Sequence, residues 1–93
     1  MSLETYVREA PKAELHLHLE GSIRPTTLLE LDGRNGIDLP ANSMEGLREW
    51  FRYRDFAHFI EVYVAVTRCL RTREDYELVA YELGVELARQ NAR

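Results

Sequence analysis

In the stretch "ELHLHLEGS", residues 14–22, two histidines and a glutamate occupy every second position: His16, His18 and Glu20. Side chains two apart on an extended backbone point the same way, with their Cβ atoms roughly 6.5–7 Å apart. At that separation two imidazoles can converge on one metal ion at about 2.0–2.1 Å per bond. Leu15, Leu17 and Leu19 take the opposite face, where a helix could cover them. A bare His-x-His pair also fits a solvated, amphipathic strand. Residue chemistry alone leaves metal binding and surface exposure both open.

The elements around this stretch must position it. The alternation predicts a strand over about residues 13–19, which Gly21 breaks. A short helix is predicted at residues 4–9, ended by Pro11. Pro25 suits the first turn of a second helix that carries Leu28, Leu29 and Leu31. Gly33 and Gly36 are stop signals for it, and Asp32 with Gly33 predicts an early end. Residues 37–43 read as a loop. Ser43 is placed to cap a helix with Met44, Leu47, Trp50 and Phe51, and Asp55 to cap one with Phe56, Phe59, Ile60, Tyr63, Val66 and Leu70. "TRED" from Thr72 resembles a capping box with Asp75 in the third position, opening a helix that runs to about Gln90. One strand among helices leaves its backbone groups without partners. The expected architecture is therefore a β/α protein in which a parallel strand follows residue 93.

Composition narrows the function classes. The net charge of -4, without a basic run, argues against nucleic acid or an anionic membrane as partner. No apolar stretch is long enough to span a bilayer, and the N-terminal residues lack the apolar centre of a signal peptide. Cys69 is the only cysteine, so no internal disulfide can form; a cytoplasmic, reducing compartment is expected. Cys69 reads as a small buried residue on a helix. His58, between Phe56 and Phe59, reads as a surface or packing residue. The arginines at 48, 52, 54, 68, 71 and 73 alternate with acids and read as a solvated surface, with a phosphate site as the minor alternative.

"PKAELHLHLEGSIRPTTLLEL", residues 11–31, resembles the N-terminal motif of the adenosine deaminase family of metal-dependent hydrolases. "GIDLP" and "FRYRDFAHFIEVY" further along are similar to the family as well. The resemblance implies an α/β fold, the N-terminal portion of a TIM-type (β/α)8 barrel, with residues 1–93 an incomplete part of that single domain. It implies a Zn2+ ion with His16 and His18 among its ligands, and hydrolytic deamination at C6 of a purine with release of ammonia. The remaining ligands and the acid/base groups are expected downstream, so residues 1–93 alone are expected not to deaminate adenosine. Turnover by purified 1–93 at the rate of a full-length relative is the result that would refute this.

Adenosine-specific members usually carry aspartate where this chain has Glu20, against the ribose 5′-hydroxyl. Glutamate reaches one methylene further, and it is found in relatives that act on adenine or aminodeoxyfutalosine. A structural role for Glu20 also stays open. In the family a helix near residues 56–70 lies over the pocket, which makes Phe59, Ile60 and Tyr63 candidate substrate contacts; a plain core stripe is the competing reading. Trp50, Phe51 and Tyr53 are weaker candidates of the same kind. The leading expectation is a zinc-dependent adenosine deaminase, the second an adenine or aminodeoxyfutalosine deaminase. A non-catalytic helical interaction module is the reading from another class.

Overall fold

The computed structural model describes all residues, Met1–Arg93. Five helices follow in order: α1 (Leu3–Glu9), α2 (Pro25–Asn35), α3 (Met44–Trp50), α4 (Phe56–Thr67) and α5 (Arg73–Arg89), with a 3-10 turn at Leu19–Ser22. Each of the last three begins on the predicted cap. Ser43 Oγ accepts from the Gly46 amide, Asp55 from the His58 amide, and Thr72 from the Asp75 amide, where the reciprocal capping box is complete.

The core lies where α2, α3, α4 and α5 meet. Leu28 and Leu31 of α2, Leu47 of α3 and Val62 of α4 are essentially sealed from solvent, and Val79 of α5 joins them. Burial of side chains of this size stabilises by about 1.5–3 kcal/mol each. The helix around Leu28 does not end early at Asp32–Gly33. It continues to Asn35 and closes on Gly36, which takes the left-handed conformation (φ 61°) that glycine adopts without strain. Glycine at position 33 costs about 1 kcal/mol relative to alanine. That cost is offset by contacts in the following turn, where Asn35 Nδ2 donates to the Cys69 carbonyl at 3.1 Å and to Asp75 Oδ2 at 2.8 Å.

α4 stops at Thr67, three residues short of the apolar periodicity. After the Arg68 cap, the Cys69 and Leu70 amides bond three residues back, to Val66 and Thr67, and this tighter turn still buries Cys69 and Leu70. Cys69 is thus the small buried residue expected, on the turn after a helix. Burial pushes its thiol above the ordinary cysteine range, with Arg71 opposing and Asp32 adding to the shift.

The predicted strand at 13–19 is corrected. A parallel bridge joins Lys12 to Ala92, and three backbone bonds support it: Lys12 N–H to the Asn91 carbonyl (3.0 Å), Arg93 N–H to the Lys12 carbonyl (3.0 Å) and Glu14 N–H to the Arg93 carbonyl (2.7 Å). Beyond Glu14 no second backbone lies alongside, so the ladder stops and residues 13–18 are neither strand nor helix. From Leu19 the chain winds into the 3-10 turn, secured by Gly21 N–H to the His18 carbonyl (3.0 Å) and Ser22 Oγ to the Leu19 carbonyl (2.6 Å). The leucine face is not covered as expected: Leu15 is 94% exposed and Leu17 40%, and only Leu19 is half-buried against the core.

The 13–18 segment is nevertheless tied at both ends. Lys12 Nζ donates to the carbonyls of Val7, Arg8 and Ala10 at the end of α1, and Asn91 Nδ2 donates to the Glu9 carbonyl at 2.7 Å. On the far side Arg24 reaches α5, 2.9 Å from Glu86 and 3.6 Å from Glu82. Gln90 Nε2, 2.7 Å from Glu86 Oε1, together with the Arg24 and Arg89 charges, holds the Glu86 carboxyl below the usual carboxylate range.

Candidate active site

His16 and His18 lie side by side, with ring centroids 5.2 Å apart and planes inclined by 30°. The two rings therefore lie together without a regular strand, because residues two apart on extended backbone still share a face. Both rings are exposed. Beside His18 the 3-10 turn and α4 form an open cavity of about 520 Å3, lined by Leu17, His18, Gly21, Ser22, Phe59, Ile60 and Tyr63.

All three α4 candidates thus share a cavity with His18. Phe59 and Tyr63 are half-buried, their ring centroids 6.2 Å apart, and Ile60 is 41% exposed, so this edge of α4 faces the cavity rather than the core. The core side of the same helix is Val62 and Val66. Glu20 is not on the histidines' side of the cavity. The 3-10 turn rotates it into an adjoining space of about 230 Å3, which it shares with Phe51, Tyr53, Phe59 and Tyr63. Alternation carried the polar line one position too far, because the extended backbone ends at His18.

Three lining residues were not singled out by sequence. Leu17 was assigned to the opposite face. Gly21 and Ser22 were read only as a strand breaker and a turn, though a Gly-Ser turn directly after a polar face is where backbone can close on a ligand. Trp50 is not among the residues lining either space; it stacks on Phe51 at 5.7 Å. His58 is a packing residue, as expected: it is buried, its backbone N–H donates to Asp55 Oδ1 at 2.7 Å, and its Nδ1 accepts from the Arg54 amide at 3.1 Å. The arginines form the expected solvated pairs in part, with Arg52 3.5 Å from Glu49 and Arg73 3.1 Å from Glu77.

As a donor set, two imidazoles projecting together from one exposed segment suit zinc, which favours nitrogen and sulfur donors. No third histidine, cysteine, aspartate or glutamate of this chain joins them. The pair fits as part of a metal shell, and the cavity beside His18 is walled mainly by apolar and aromatic side chains.

The adenosine deaminase family profile matches residues 11–93, and the chain belongs to that family of aminohydrolases. It is 43% identical over 91 residues to the aminodeoxyfutalosine deaminase of Streptomyces avermitilis, covering 98% of this chain and 25% of that protein. It is 38% identical over 80 residues to the adenine deaminase of Vibrio parahaemolyticus, covering 86% of this chain and 24% of that one. Among solved structures, the adenine deaminase from Arthrobacter aurescens superposes with a TM-score of 0.80 at 36% identity, over 89% of this chain and 25% of that chain. The chain therefore spans about a quarter of the length of the relatives it matches. Family membership leaves the helical-module reading without support. No helix is long and apolar enough to cross a membrane.

Proposed function

We propose that the full-length protein catalyses zinc-dependent hydrolytic deamination of a 6-aminopurine, converting the amino group to an oxo group and releasing ammonia. The observation that carries this reading is the His16–His18 pair, of which His18 lines the cavity walled by Phe59, Ile60 and Tyr63. Zinc, when bound, supplies a Lewis acid that lowers the pKa of a coordinated water towards neutrality. His16 and His18 would be two of its protein ligands. The aromatic and aliphatic side chains of α4 would bind the planar purine and exclude water from the side of the ring away from the histidines. The segment would be the first quarter of a TIM-type barrel, with residues 12–18 leading its first strand and the parallel pairing at Ala92 opening the second. An active site at the C-terminal end of that first strand is where such barrels carry their chemistry.

Among purines, we place aminodeoxyfutalosine and adenine ahead of adenosine. Glu20 supports this order, since it stands where adenosine-specific members usually have the shorter aspartate, and so do the relatives bearing those two names. The test is ammonia release by the full-length protein from adenosine, deoxyadenosine, adenine and aminodeoxyfutalosine, alongside metal analysis. The expected outcome is about one zinc per chain, with aminodeoxyfutalosine or adenine the fastest substrate. Reaction with adenosine alone reverses the substrate order. No ammonia from any of the four refutes the activity.

A further inference from the structure

Phe59 and Tyr63 are the two aromatic side chains that line both spaces of the site, and something must hold the Phe59 ring in place. Tyr53 does so from the loop before α4. The Tyr53 ring stands edge-on to Phe59, with centroids 5.0 Å apart and planes at 88°, the favoured T-shaped arrangement. Yet Tyr53 is 52% exposed and belongs to no helix, so its own packing does not fix it. What fixes the loop is His58. Its Nδ1 accepts the Arg54 amide at 3.1 Å, one residue past Tyr53, and its ring meets the Tyr53 ring edge-on at 6.2 Å. With Nδ1 accepting, Nε2 is the ring nitrogen left to donate. His58 also lines a separate surface cavity bordered by Glu49, Arg52 and Arg54, while its backbone N–H donates to Asp55 Oδ1.

We infer that His58 and Tyr53 form a positioning bracket for Phe59: the imidazole anchors the loop, the loop holds Tyr53, and Tyr53 sets the ring against which a planar ligand binds. Neither residue lies beside the histidine pair, so the bracket acts on ligand affinity and not on the chemical step. The inference deepens the deaminase reading and rests on it for the identity of the ligand.

The test uses the full-length protein with its best purine substrate. Tyr53→Leu and His58→Leu are each expected to raise KM roughly two- to tenfold with kcat little changed, the range an aromatic pair contributes. The double variant is expected to be no worse than the poorer single one, because the two residues act in series. His58→Asn keeps an acceptor at the same distance from the backbone as Nδ1 and is expected to restore KM. A second readout needs neither metal nor substrate. In protein labelled with fluorotyrosine, the Tyr53 resonance, assigned by Tyr53→Phe, is expected to shift in His58→Leu and return in His58→Asn. An Asn variant as impaired as Leu, a loss in kcat at constant KM, or a resonance indifferent to His58 overturns the bracket. Should His58→Leu fail to fold, the half-exposed Tyr53→Leu and the Asn variant decide the matter. A shifted and rescued resonance in a protein that deaminates no purine supports the bracket and overturns the deaminase reading instead.

Discussion

His16→Ala and His18→Ala, each made in the full-length protein, are expected to lower kcat/KM by more than about 100-fold. Losses of 10- to 100-fold are typical even for side chains that only orient metal ligands, so removal of a ligand should exceed them. Zinc content should fall from about one per chain in the same variants, and the double variant should be little worse than either single one, because ligands of one metal act as a unit. Stability in the metal-free state should barely move, within about 0.5 kcal/mol. The structure gives the reason: both rings are exposed, and their only aromatic neighbour is each other. That contrast separates a metal site from a structural pair. A His16→Ala protein that retains zinc and full turnover would remove the basis for the proposed chemistry.

Much of the site was legible because local rules govern it. The two-residue period brings His16 and His18 together whether or not a sheet forms, and the four-residue period of a helix brings Phe59 and Tyr63 onto one edge. Capping chemistry placed the starts of α3, α4 and α5 for the same reason: each cap is a bond between residues three apart. Non-local partners decided the rest. Residues 13–18 form no regular strand because a ladder needs a second backbone, and only residues 91–93 supply one, as far as Glu14. Glu20 turned away from the histidines because the chain winds into a 3-10 turn one residue earlier. Gly33 stayed helical because Asn35 has partners some 34 and 40 residues away, which no window of sequence around it displays.

Asp75 is the residue whose loss should cost the fold most. It is 1% exposed, although the sequence offered it only as the third residue of a capping box. Its Oδ2 accepts from the amides of Arg71 (2.9 Å) and Thr72 (3.0 Å) and from Asn35 Nδ2 (2.8 Å), while the Arg34 guanidinium stands 3.6 Å from Oδ1. Arg34 is 40% exposed and screened, so the hydrogen bonds dominate. The Arg71 amide foremost, then Asn35 and Thr72, hold the carboxyl down at about 2 against the opposing effect of burial. Asp75→Ala leaves those donors unpaired in a dry site, at about 1–3 kcal/mol for each that water cannot reach. A loss of about 3 kcal/mol is expected, a large share of the 5–15 kcal/mol that a folded domain typically has.

The pH dependence of the same group follows from its depressed folded value. An unfolded aspartate titrates near about 3.9, so between there and about 2 the unfolded chain binds the proton more readily. The stabilisation is complete above that window and fades as pH falls through it. Urea midpoints for the full-length protein should therefore drop between about pH 4 and pH 2, and Asp75→Asn, which cannot titrate, should show a shallower drop. An equal slope in both proteins would assign the acid sensitivity to other carboxylates. The site would feel the Asp75→Ala loss only indirectly. Asp75 anchors the start of α5, and the residues just beyond the other end of that helix, Asn91 to Arg93, hold Lys12 and Glu14 at the approach to His16. Activity in Asp75→Ala should fall with the folded fraction and recover fully on cooling or with added osmolyte, which the histidine variants should not do.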